Sequence, residues 1–390
     1  MARTVIVNLG TIVSGDLREP IVAGDTIVIE GTRIERVTSR READVEGADV
    51  VIDAAGMTAT PGFIDSHTHP AVGDWTPRLD IQRWIESYLH GGITTAISQG
   101  AIHLQGRPTD AAGTKALAIL SAKTFQNFRP GGLKYHGGAL ILELGLTERD
   151  FKEMAQEGVE LVAEIGAAGL ADSEQAAPMT AWAKQSGMKV VGHYGPPSIH
   201  GSSPMGAEQM IALDVDVVGH VNGGSTSGAW RDVERLIDDT AMTLELAFTG
   251  NPRAMLDIVA RLIERDELGR LIIGSDTPVG SGVMPLAVVR TVLWLCALGP
   301  LAPEVAIALA TGNTARAYGF DTGRIAPGLA ADLLVMDAPR GSVAADALGA
   351  FRRGDNPGIA LVMVDGQVIT TRPRNTLPPA RAVHIKERTR

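Results

Sequence analysis

Pro61-Gly62-Phe63-Ile64-Asp65-Ser66-His67-Thr68-His69 is the stretch on which the fold turns. Pro-Gly punctuates the chain, a short apolar run follows, and the run closes on two histidines spaced by two. Successive side chains of a strand alternate faces, so His67 and His69 project from the same one. Two imidazoles side by side at a strand end are either half of a metal-ligand set or a solvated rim. The residues further along decide between the two.

Downstream, strand-like apolar runs recur at 63–69, 93–100, 134–140, 159–166, 189–195, 215–222, 242–248 and 270–277, with helix-like segments such as 177–186 and 252–265 between them. Strands alternating with helices imply parallel βαβ units. Eight of them predict an α/β chain closed into a (β/α)8 TIM-like barrel over 61–319. An open doubly wound sheet is the alternative, but neither GxGxxG nor GxxxxGK[ST] occurs, so a nucleotide fold loses support. Upstream, Thr4-Val5-Ile6-Val7, Thr26-Ile27-Val28-Ile29, Arg33-Ile34-Glu35-Arg36-Val37 and Val50-Val51-Ile52-Asp53 read as strands. The same texture returns in Ala331-Asp332-Leu333-Leu334-Val335-Met336 and Ile359-Ala360-Leu361-Val362-Met363-Val364. There Asp365-Gly366 predicts a hairpin turn into Gln367-Val368-Ile369-Thr370. Two β-rich ends around a barrel predict a composite β-sandwich domain built from 1–60 plus 320–390.

Composition narrows the function classes. Of 390 residues, 45% are hydrophobic and 21% charged, an ordinary globular balance that excludes disorder and collagen. The formal charge is −10 with no long basic run, so no nucleic-acid partner is expected. The single cysteine, Cys296, sits in an apolar run and reads as core rather than nucleophile. No leader-like or membrane-spanning run is evident, so a cytoplasmic protein with no membrane partner is expected.

Four more potential ligands fall where a barrel builds its active site, at the C-terminal ends of strands. They are Glu164 on the fourth strand, His193 on the fifth, His220 on the sixth and Asp276 on the eighth. Singly, each is more simply a core histidine or a capping carboxylate. Together with His67 and His69 they make six donors, too many for one tetrahedral ion and suited to two divalent ions that share a carboxylate. With a shared hydroxide the net charge would be roughly +1 beside four neutral imidazoles, so the oxyanion of amide attack brings it to about zero.

At these residues the chain resembles the amidohydrolase superfamily. The resemblance rests on the 61–69 stretch, His193, His220, Asp276, His90-Gly91-Gly92-Ile93-Thr94-Thr95, Thr311-Gly312-Asn313, and Gly323-Arg324-Ile325-Ala326-Pro327-Gly328 followed by Ala331-Asp332-Leu333. It spans nearly the whole chain and implies a metal-dependent hydrolase. Many binuclear members bridge their metals with a carboxylated lysine on strand four, where this sequence has Glu164. Residues 106–117, 136–139, 220–224 and 341–344 resemble the branch that opens a cyclic enamide, 1,4,5,6-tetrahydro-6-oxonicotinate, to 2-formylglutarate and ammonia. That resemblance implies zinc at His67, His69 and Asp276, iron at His193 and His220, Glu164 as bridge, and a homo-oligomer, typically a tetramer; general acid–base chemistry at such a site makes Asp276 the expected proton shuttle. Other ring-opening amidohydrolases (hydantoinase, imidazolonepropionase or dihydroorotase type) and deaminases are the alternatives, as is a silent scaffold on the same fold. The first acid after His193 is Glu208, which argues against a deaminase's proton shuttle.

Four further residues are candidates for contact with a small cyclic amide. Arg107 and His103 lie in the loop after strand two, where a substrate carboxylate finds a bidentate partner or the arginine is merely solvated. His136 points either into the barrel or outward, and Tyr194 either meets substrate or packs. Lys134 opens strand three, the wrong end for catalysis, and is expected to be structural. Neither GxSxG nor HExxH is present, so serine-hydrolase and zincin chemistry have no foothold.

Overall fold

The computed structural model describes residues 2–69, 79–100, 106–197, 201–224, 226–278 and 282–388, excepting the side chains of 79–83. Barrel strands one to three are Phe63–Thr68, Ile93–Ser98 and Lys134–His136, and they form a three-stranded parallel sheet. Strands four to eight, Leu161–Ile165, Lys189–His193, Val217–Gly219, Thr243–Ala247 and Leu271–Gly274, form a five-stranded one. Parallel bridges Leu140↔Val162 and Thr68↔Thr277 join the two sheets at both seams. The eight expected strands thus close into a ring, and the α/β barrel is the observed architecture.

The helices follow their sequence signals. Pro252–Glu264 starts with Pro252 in its first turn, and Asn251 caps it by accepting from the amides of Arg253 and Ala254. Its buried face, Met255, Ile258, Val259 and Leu262, has the i, i+3, i+4, i+7 spacing of an amphipathic helix. Such faces pack on the outward side chains of the strands. Ile64, Ile97, Leu161, Ala163, Val191, Val217 and Ile272 fill the barrel's interior. No described helix is long and apolar enough to cross a membrane.

Strands from both ends of the chain pair in two further sheets. One runs His384–Glu387, Val50–Asp53, Arg3–Val7, Thr26–Glu30, Arg33–Thr38; the other Gln367–Thr370, Gly358–Val364, Leu333–Asp337, Thr58–Pro61, Thr11–Val13, Ile21–Val22. Their facing apolar residues, Ile27, Ile52, Leu333 and Leu361 among them, form a separate core. Asp365 and Gly366 both adopt positive φ (48° and 72°), as a two-residue hairpin turn requires. Lys134 ties this part to the barrel: its Nζ lies 2.8 Å from Asp332 Oδ2 and 2.6 Å from Asp365 Oδ1. Asp332 is buried and also accepts from Thr322 Oγ1 (2.6 Å) and the Asp365 amide (2.8 Å). Asp332→Ala would strand those donors and is expected to cost about 3 kcal/mol, measurable by denaturant unfolding of the metal-free protein.

Candidate metal centre

All six sequence-selected donors converge at the C-terminal end of the barrel. Their backbones take unequal routes to get there. His193 simply continues the inward alternation of Val191. Glu164 does not, because Ala163 already faces inward and the strand should turn its next side chain away. A register shift between Val162 and Ile165 makes room for two consecutive inward residues. His220 and Asp276 arrive through left-handed backbone, with φ of 35° and 54°. Non-glycine residues held there carry strain that the surroundings must hold in place.

Glu164 lies between two groups. Its Oε2 stands 3.2 Å from His67 Nε2 and 3.6 Å from His69 Nε2, and Asp276 Oδ1 is 3.6 and 3.2 Å from the same two nitrogens. Its Oε1 stands 3.2 Å from His193 Nδ1 and 2.8 Å from His220 Nε2, which are 2.9 Å from each other. A tetrahedral ion with bonds of ~2.0–2.1 Å sets its ligands ~3.3 Å apart, so the first group already has the spacing of a coordination shell. His67 Nε2 is buried and faces two carboxylates, Glu164 Oε2 and Asp276 Oδ1, without hydrogen-bond geometry to either. The residues present therefore fit two divalent ions with one shared carboxylate.

Electrostatics point the same way. Burial opposes ionisation of Glu164, but the His67 charge and hydrogen bonds from His193 and His220 outweigh it and hold the carboxyl well below the usual range. Burial likewise opposes charge on His67, yet Glu164 and Glu245 push its imidazole well above the ordinary value. His193 is lowered by burial and by His220. Without ions, protons therefore supply the positive charge that the carboxylates require. Zinc binding at neutral pH should then release protons, and affinity should rise with pH because metal and proton compete. Titration calorimetry in buffers of different ionisation enthalpy measures that release directly.

Several residues that spacing does not reveal complete the site. Asp65, fully buried and pushed up to about 6 by that burial, accepts from the amides of Ser275 (2.8 Å) and His67 (3.1 Å), pinning strand one to strand eight. Thr249 donates to Asp276 Oδ2 at 2.6 Å, while Asp276 Oδ1 faces His69. Glu245 stands behind His67 and Ser66. Its signal is a charged residue inside the otherwise apolar run Leu244-Glu245-Leu246.

The weaker candidates lie elsewhere. His136 pairs with Glu160 (3.1 Å) and stacks on Phe320. Glu160 precedes Glu164 by four residues, ~13 Å down the strand at ~3.3 Å per residue, so His136 belongs to the opposite rim. Tyr194 follows an inward ligand and so turns outward, buried in the helix-facing core with its hydroxyl 3.4 Å from Ala229 O. It packs. Arg107 is held by Glu143 at 2.7 Å, and an anion reaching it has to displace that carboxylate. His103 lies outside the described residues.

A closed barrel with two clusters of histidine and carboxylate at the C-terminal end of its strands defines a class, and comparison with known proteins agrees: the amidohydrolase family model matches residues 58–369, and the chain belongs to that family. Enamidase from Eubacterium barkeri is 47% identical over 385 residues, covering 99% of this chain and 100% of its own. A crystal structure of enamidase superposes with a TM-score of 0.95 at 47% identity, covering 99% of this chain and 100% of that one. Imidazolonepropionase from Streptomyces griseus subsp. griseus is 27% identical over 379 residues, 87% of this chain and 94% of its own. A D-hydantoinase from Thermus sp., 19% identical with a TM-score of 0.66 over 96% of both chains, shares the fold.

Proposed function

We propose that the protein is a metal-dependent cyclic-amide hydrolase of the enamidase type, opening 1,4,5,6-tetrahydro-6-oxonicotinate to 2-formylglutarate and ammonia. One observation carries this reading: the two oxygens of Glu164 serve two separate histidine sets in a chain 47% identical along its length to an enamidase. His67, His69 and Asp276 would hold zinc and His193 and His220 iron, with Glu164 common to both. Bound divalent ions supply water of lowered pKa and Lewis acidity toward a carbonyl oxygen.

The chain's own residues handle the proton. Asp276 is the one donor of the six with appreciable side-chain exposure, 14%, so it faces the substrate side. Burial raises its pKa, but the His69 hydrogen bond and the charges of His67 and His220 prevail, so its carboxylate stays ionised. It accepts a proton from the attacking water as the water oxygen bonds to the lactam carbon. It then returns that proton to the ring nitrogen as the C–N bond breaks. The products are a carboxylate and an enamine, and a second water converts the enamine to aldehyde and ammonia. Thr249 keeps Asp276 turned toward that path. Thr249→Val should lower kcat about tenfold with KM nearly unchanged, because a hydrogen bond to a charged group contributes ~1.5–3 kcal/mol at most.

Turnover on a panel tests the assignment: the enamide, a hydantoin, a dihydropyrimidine and an imidazolone, with elemental analysis of the same preparation. The enamide should be preferred and zinc and iron should be found. Turnover of a hydantoin alone would reassign the substrate. Gel filtration should give a tetramer.

A further inference from the structure

Strand seven, Thr243–Ala247, supplies none of the six donors, although it lies between the strands that lead into His220 and Asp276. It places Glu245 in the barrel with no exposed surface. Oε1 of Glu245 stands 2.5 Å from His67 Nδ1 and accepts from the His220 amide at 3.3 Å, and Oε2 accepts from Ser66 Oγ at 2.5 Å. Among the described residues, no lysine or arginine pairs with it. A buried carboxylate without a fixed cation is costly unless its oxygens are hydrogen-bonded, so Glu245 is committed to the three groups it touches.

The surrounding chain makes space for this contact. A Cβ at Gly274, on strand eight, would lie 2.6 Å from His67 Cβ, 2.8 Å from Ser66 Oγ and 3.1 Å from Glu245 Cδ. The trio fits because residue 274 has no side chain.

We infer that Glu245 is a positioning residue of the metal centre: it keeps the His67 proton on Nδ1, so that Nε2 is presented bare, and it holds the His220 backbone in its left-handed turn. One carboxylate then orients a donor of each half of the centre, His67 through its ring and His220 through its amide. This rests on the proposed metal dependence. It also explains why His67 Nε2 has no hydrogen-bond partner while Nδ1 has a short one.

Zinc titration of metal-free wild type and Glu245→Gln, alongside circular dichroism, tests the inference. Gln keeps the shape and loses the charge. The variant should fold as wild type and bind zinc ~10–100-fold more weakly, and Glu245→Asp should recover part of that loss. Wild-type zinc affinity in a folded Glu245→Gln would overturn the inference. Wild type that binds no zinc would instead overturn the metal reading beneath it. Should the variants not fold, nitrogen-15 histidine NMR of the zinc-loaded wild type decides. His67 should show a protonated Nδ1 and zinc on Nε2, and zinc on Nδ1 would overturn the inference.

Discussion

Asp276→Asn is expected to lower kcat by about 10³-fold, within the range of general acid–base catalysis, while metal content falls only in part. The amide matches the carboxylate in size, so it keeps a carbonyl oxygen for His69 or for Thr249, which now lie 3.2 and 2.6 Å from the two carboxylate oxygens. It cannot accept a proton from water and return it to the ring nitrogen. The loss therefore falls on kcat more than on KM, because ground-state binding of a lactam does not need that proton transfer. Steady-state kinetics and metal analysis of one preparation measure both effects. Near-normal turnover in a fully loaded variant would remove Asp276 from the proton path.

Glu164→Ala should go further and take apart both halves of the centre. The Glu164 side chain is 1% exposed and each of its oxygens faces a different pair of histidines. Without it, four imidazoles remain with Asp276 as the one first-rank carboxylate. The negative charge that draws two divalent ions together is then halved. Zinc affinity should drop by more than the ~10²-fold typical of losing an outer-shell partner, with less than one ion retained per chain and turnover falling with it. Full occupancy with normal turnover would show that Glu164 is not the shared ligand.

Much of this arrangement is legible in the sequence because the βα rhythm fixes strand order, and a barrel puts its chemistry at one end of every strand. That is enough to select His67, His69, His193, His220, Glu164 and Asp276 together. It does not say how each reaches inward. Strict alternation would turn Glu164 away from Ala163's side, and only the bulge in strand four reverses that. Height along a strand is equally hidden. His136 sits on a strand that is regular only over Lys134–His136, and nothing local tells that it marks the lower rim. Thr11–Val13 and Ile21–Val22 are too short for an alternation to show, and the exposed His384–Glu387 has no buried face and is a strand only through its long-range pairing with Val50–Asp53. Glu245 gave a signal that spacing arguments overlook, an acid where Thr243-Leu244 and Leu246-Ala247 announce a buried strand.

The pairing of Thr58–Pro61 with Leu333–Asp337 has a consequence for how the molecule is made. The ribosome delivers the first of these strands long before the second exists, and the histidine-bearing strand hangs directly from it. Until residues 333–337 have been made, the nascent chain carries a bare β-edge that invites pairing with its neighbours. Yield in a cell should therefore track chaperone supply more than the stability of the finished protein. A chain cut short before residue 333 would hold all six candidate donors and still lack the partner strand that anchors the base of the histidine-bearing strand.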